Sequence, residues 1–252
     1  METKKVTRYK ASGLHLLISV AIAAAVLGLM LAVWFPGPLF SAAGGNDLLF
    51  ILVGVDVIIG PAITLAVYKQ GKWGMKFDLT VIGLLQISAL AYGMHIVYLA
   101  RPGFIVFVKD QFQVAAVVDI PPEDYAKAKL AEFNHPPVGG PLYAYVDFPT
   151  DEAGHNEITF AAMSGRDLET FPKYFVPYGS RTKEVLAASW TLAKMREMEP
   201  AEAKIVDAHL AGWGLKEADV RYVRLKARRA WVAVLIDAKT AVPLKMVITE
   251  YI

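Results

Sequence analysis

Residues 14–35 read LHLLISVAIAAAVLGLMLAVWF, a 22-residue apolar run without a single Asp, Glu, Lys or Arg. Two more runs follow. Residues 48–68 are interrupted only by Asp56, and residues 77–100 carry Asp78 at the start and Gln86 and His95 within. A helix of about 20 apolar residues crosses the hydrocarbon core of a bilayer. Each run is long enough, so three transmembrane helices are expected in the first 100 residues.

The rest of the chain has ordinary globular composition. From Arg101 onward, 19 Lys and Arg stand against 20 Asp and Glu. About 150 residues can bury a core of their own. The expected architecture is therefore a membrane protein with a three-helix domain over residues 1–100. A soluble α+β domain with a largely antiparallel sheet follows over 101–252. A broad basic face for nucleic acid is missing. With no cysteine in 252 residues, thiolate chemistry, disulfides and Cys-ligated metals are excluded.

Orientation is read from the short connections. Lys4, Lys5, Arg8 and Lys10 precede the first helix, and Lys69, Lys72 and Lys76 lie between the second and third. Residues 36–46 hold no Lys or Arg. The positive-inside bias then puts the N-terminus in the cytoplasm and residues 101–252 outside. Arg101 and Lys109 run against that bias but are outnumbered. Ser41-Ala42-Ala43 resembles a cleavage site, yet signal h-regions span only about 7–15 residues, so the first helix is expected to be retained.

Charge inside the bilayer costs about 2.5–3.5 kcal/mol on insertion scales and calls for a partner. Asp56 falls near mid-membrane, and Gln86 lies within about 4–5 Å of the same depth if their helices run antiparallel. A hydrogen bond between the two is feasible. It would serve as glue between helices, or leave Asp56 a contact for another membrane helix. Gly54, Gly60 and Pro61 surround Asp56 and permit close approach. Near the cytoplasmic interface, His15, Ser19, Thr64 and Asp78 form a second polar layer, with Asp78 placed to favour a helix N-terminus.

These segments carry a resemblance. Residues 12–19 (SGLHLLIS), 34–40 (WFPGPLF) and 55–61 (VDVIIGP) follow one another. Residues 76–86 (KFDLTVIGLLQ) and then Arg101-Pro102 come after them. Together they resemble the type IV pilin accessory protein family, TfpX/TfpZ, over roughly residues 8–120. Beyond that the likeness is looser, mainly at residues 174–178 and 231–237. The resemblance implies a protein of the bacterial inner membrane with a periplasmic domain. It further implies a chaperone-like role in pilin stability or pilus assembly through contact with membrane-held pilin. It carries over no catalytic residues and no cofactor.

In the outer region, residues 104–108 and 112–120 read as strands about a Lys109–Gln111 turn. A helix is expected from Pro121 to Phe133, a Pro/Gly loop over 134–141, a strand over 142–148 and a helix over 151–163. One helix is predicted over Arg181–Met198, with an apolar stripe, and another from Pro200 to near Gly212. Strands are predicted over 220–225, 231–236 and 244–249. Arg221, Arg224, Lys226, Arg228 and Arg229 place five basic residues in nine. They read either as a solvated strand face or as a patch for an acidic partner or lipid headgroups.

The candidate contact residues are thus Asp56, Gln86, Asp78, His15, Arg221, Arg224, Arg228 and Arg229. No nucleophile, phosphate loop or metal spacing stands out. The leading reading is a non-enzymatic pilin-binding factor. Its rivals are a membrane enzyme acting on pilin or lipid at the outer face, and a small transporter subunit that would need to oligomerise. A homo-oligomer remains open.

Overall fold

The structure, a computed structural model, describes residues 7–69 and 72–252. Lys4 and Lys5, which enter the orientation argument, lie outside the described residues.

Three helices are long and apolar enough to cross a membrane: Arg8–Trp34, Gly45–Val67 and Met75–Ala100. The first begins at Thr7, whose side chain accepts a hydrogen bond from the Lys10 amide. In the second span the helix widens to a π-turn over Gly54–Ile59, and the Gly60 amide donates to the Val55 carbonyl five residues back. Pro61 accounts for this local widening: it has no N–H to give, and its ring crowds the carbonyl four residues upstream.

The chain divides into two compact units. One comprises the spans, up to Ala32 and then Gly45–Leu99. The other joins Val33–Gly44 to Ala100–Ile252. Residues 36–46 read in sequence as a bare connection between helices. In the structure Leu39 and Ala42 are buried in the core of the second unit, and the Arg229 amide donates to the Ala42 carbonyl at 2.8 Å. The first connection and the C-terminal region form one folded body, so they lie on one side of the bilayer.

That body is built on a seven-stranded sheet in the order β4-β3-β1-β2-β5-β6-β7. The strands are β1 (Pro102–Val108), β2 (Gln111–Ala116), β3 (Leu142–Val146), β4 (Phe175–Pro177), β5 (Val220–Lys226), β6 (Ala230–Asp237) and β7 (Pro243–Tyr251). Four neighbouring pairs are antiparallel, and β1–β3 and β2–β5 are parallel. This is the expected α+β class.

β1 is buried along its whole length, which explains its unbroken apolar run: both faces of a central strand are covered. Ile105 and Phe107 pack with Phe112, Val232 and Val234 on one face. Phe104 and Val106 pack with Phe133, Phe171 and Phe175 on the other. Further along that second face, Leu192, Met195, Ala203 and Val206 cover Tyr222 and Leu235.

Three local expectations are corrected. The strand after the β1–β2 turn stops at Ala116 and gives way to a 3-10 turn at Val117–Asp119. The helix expected from Pro121 to Phe133 is a single turn, Pro122–Tyr125, followed by a 3-10 turn at Ala131–Phe133. The helix expected over Arg181–Met198 is two, Thr182–Ala188 and Leu192–Met198. The break falls at Trp190, whose amide and carbonyl pair with those of Tyr222 at 2.9 and 2.8 Å. Backbone groups committed to a strand cannot also continue a helix, and the Thr191 side chain caps the new start.

Candidate partner-binding site

In the membrane unit, polar groups gather around the second span. The His15 ring nitrogen Nδ1 lies 2.6 Å from the Thr64 hydroxyl, and the Ser12 hydroxyl donates to the Pro61 carbonyl at 2.9 Å. Ser19 and Thr64 are buried. Small residues make this approach possible. A Cβ at Gly60 would sit 1.8 Å from Gln86 Nε2 and 3.3 Å from His15 Nε2, so the glycine is the notch that receives both side chains.

That placement decides the expected Asp56–Gln86 pair. Among the described residues no hydrogen bond joins them, because the Gln86 amide is seated over Gly60, one helical turn away from Asp56. Asp56 is 7% exposed, and its Oδ1 is buried without a hydrogen-bond partner. It lines a cleft of about 390 Å³ between the second and third spans. Asp78 takes its place in the first turn of the third span and pairs with Lys72 at 2.5 Å.

The basic run of the C-terminal unit does not form one patch. Alternation along β5 sends Arg221 and Arg224 to opposite faces. Arg224 pairs with buried Glu202 at 2.6 Å, reaches toward Glu199 at 3.6 Å, and stacks 4.1 Å from the centre of the Trp231 ring. The Tyr222 hydroxyl donates to the other Glu202 oxygen at 2.7 Å. Burial, then the bond to Glu202, raises the Tyr222 phenol above its usual range. Arg228 and Arg229 form the β5–β6 turn, where Arg229 packs beside Gly44. Gly44 has φ +89, a conformation that side chains disfavour.

Two roles escaped the sequence reading. Arg101, an opponent of the charge bias, is fully buried, and its guanidinium donates to the carbonyls of Pro137 and Gly139. It fastens the Pro/Gly loop rather than marking a membrane side. Glu169 lies by a cavity of about 340 Å³ that is also lined by Gln113, Asp119, Lys226 and Arg228. Burial pushes its carboxyl up to about 7, Asp167 and Asp119 add to the rise, and Lys226 opposes it. The Gln113 amide, turned to match, donates to both Glu169 oxygens at 3.1 Å. Neither role is signalled by the local sequence, since both depend on segments distant in the chain.

Among the described residues no group of three or more His, Cys, Asp or Glu is arranged to hold a metal ion. Fold and site together define a class: a three-span membrane protein bearing an α+β domain, whose orphaned polar group lies inside the bilayer. A family profile described as "Fimbrial assembly protein FimB" matches residues 3–44. The serogroup I fimbrial assembly protein of Dichelobacter nodosus is 31% identical over 235 residues, covering 90% of this chain and 90% of that protein. The serogroup E1 protein of the same organism is 32% identical over 187 residues, 73% of this chain and 72% of that one. A third, of serogroups C1 and C2, is 37% identical over 113 residues, 44% of this chain and 86% of that one. No solved structure matches the chain. The chain belongs to the fimbrial assembly protein family.

Proposed function

We propose that this protein is a non-enzymatic accessory factor of type IV pilus biogenesis in the bacterial inner membrane, of the TfpX/TfpZ kind. It binds pilin before polymerisation and promotes pilin stability or pilus assembly. The observation that carries this reading is the similarity to a fimbrial assembly protein along nine-tenths of both chains. Three apolar spans support it, since they provide a surface for an apolar pilin helix still held in the bilayer. The lysines at 69, 72 and 76 favour a cytoplasmic second connection, which supports a periplasmic position for the folded C-terminal unit, beside the pilin head.

Deleting the protein tests this. Pilin level in the membrane, pili sheared from the surface, or both should fall, and the full chain supplied in trans should restore them. Unchanged pilin and unchanged piliation would refute the proposal. A phosphatase fused after Ile252 should be active only if that end is exported, and activity confined to a cytosolic reporter at the same point would overturn the orientation.

A further inference from the structure

The cleft between the second and third spans has an unusual composition. Leu48, Ile51, Leu52 and Val55 form one wall, and Ala89, Gly93, Ile96 and Val97 the other. At one end of this apolar lining sits Asp56, more than nine-tenths buried, with Oδ1 lacking any hydrogen bond. The nearby polar side chains do not reach it: His15 Nδ1 pairs with the Thr64 hydroxyl, and the Gln86 amide lies over Gly60. In hydrocarbon no water replaces them, so an acceptor left open is costly.

The third span does little to close the seam. Over its 26 residues only Ile82 and Val97 are buried. Its wall of the cleft presents Ala89 and Gly93, four residues apart, the spacing at which small side chains let another helix backbone come near. The second span is π-widened where Asp56 projects, and such bulges re-aim side chains at functional positions.

We infer that this cleft receives a membrane-spanning helix of a partner, and that the helix carries a hydrogen-bond donor at the depth of Asp56. The argument is one of complementarity. A polar group in the occupant must donate, because the cleft offers an unmatched acceptor, and the rest of the occupant must be apolar and able to approach closely. The inference rests on the proposed function, in which that helix belongs to pilin.

Photocrosslinking in the native membrane tests it with the full chain. Benzoylphenylalanine is placed at Tyr92, which lines the cleft, at lipid-facing Phe50 and Leu84, and at Phe160, exposed on the outer unit. A pilin adduct should form from position 92 at least tenfold more than from 50 or 84. Asp56→Leu should lower it about tenfold, while Asp56→Asn, which keeps an acceptor oxygen, should retain most of it. If Asp56→Leu fails to accumulate, Gly93→Leu decides the matter by filling the cleft with Asp56 intact, and should likewise abolish the adduct. Equal adducts at 50, 84 and 92, a product of twice this chain's mass, lipid adducts alone, or indifference to both cleft substitutions would overturn the inference. Pilin captured from position 160 but not from 92 would refute the cleft and leave the proposed function standing. Capture from neither, with piliation unaffected by deletion, would remove both.

Discussion

Replacing Glu169 by glutamine should make the C-terminal unit more stable at pH 8 and leave it nearly unchanged at pH 4. Its carboxyl titrates near 7 in the folded chain against an ordinary 4.5. The folded state therefore holds a proton that the unfolded state has released between those values. Stability from this site is complete below about 4.5 and is lost as pH rises through 7. At about 1.4 kcal/mol per pH unit the full loss is about 3.4 kcal/mol. The group is half-buried rather than sealed from solvent, so a gain of about 1–3 kcal/mol for Glu169→Gln at pH 8 is the working figure. A unit of this size shifts its melting temperature by about 2–4 °C per kcal/mol. Thermal unfolding of the full chain in detergent, followed by tryptophan emission at pH 4, 6 and 8, measures the effect. A variant that melts with the parent at pH 8, or gains as much at pH 4, would show that the carboxyl is not held in a desolvating cavity.

Arg101→Met removes the donor from the carbonyl of buried Pro137 and from that of exposed Gly139 and should cost about 1–3 kcal/mol; hydrogen exchange should show residues 134–141 opening first. Arg224→Met strands Glu202, 4% exposed, and should cost about 3–5 kcal/mol, whereas adding Glu202→Met should recover most of the loss. Unfolding midpoints of the two variants decide whether the pair or only its broken half destabilises. Leu39→Ala, in the first connection, should weaken the C-terminal unit by about 2–4 kcal/mol because its side chain is 1% exposed in that core. A melting point unchanged by Leu39→Ala would mean that this connection does not belong to the domain.

Much of the architecture was legible in one dimension. Spanning a bilayer demands about 20 apolar residues in a row, a requirement met within each segment and needing no knowledge of neighbours. The same holds for the strand pair around Lys109, for β5–β7, and for the helix Glu152–Met163 with Asp151 as its cap. Asp56 stood out as well, because a carboxylate in an apolar run is conspicuous wherever its helix packs.

What the tertiary structure alone decided concerns groups whose partners are far along the chain. Trp190 breaks a helix because Tyr222 claims its backbone. Arg101 and Glu169 acquire their roles from a loop and a cavity assembled elsewhere. Five basic residues in nine look like a patch in sequence, yet the strand's alternation and the acids at 199 and 202 take that patch apart. Gln86 lies within about one turn of the depth of Asp56, but in the structure it meets Gly60, the next residue along the same helix face. Sequence spacing gives depth along each helix only to about a turn. Packing sets the register between two helices, and that register is what left Asp56 facing an open cleft.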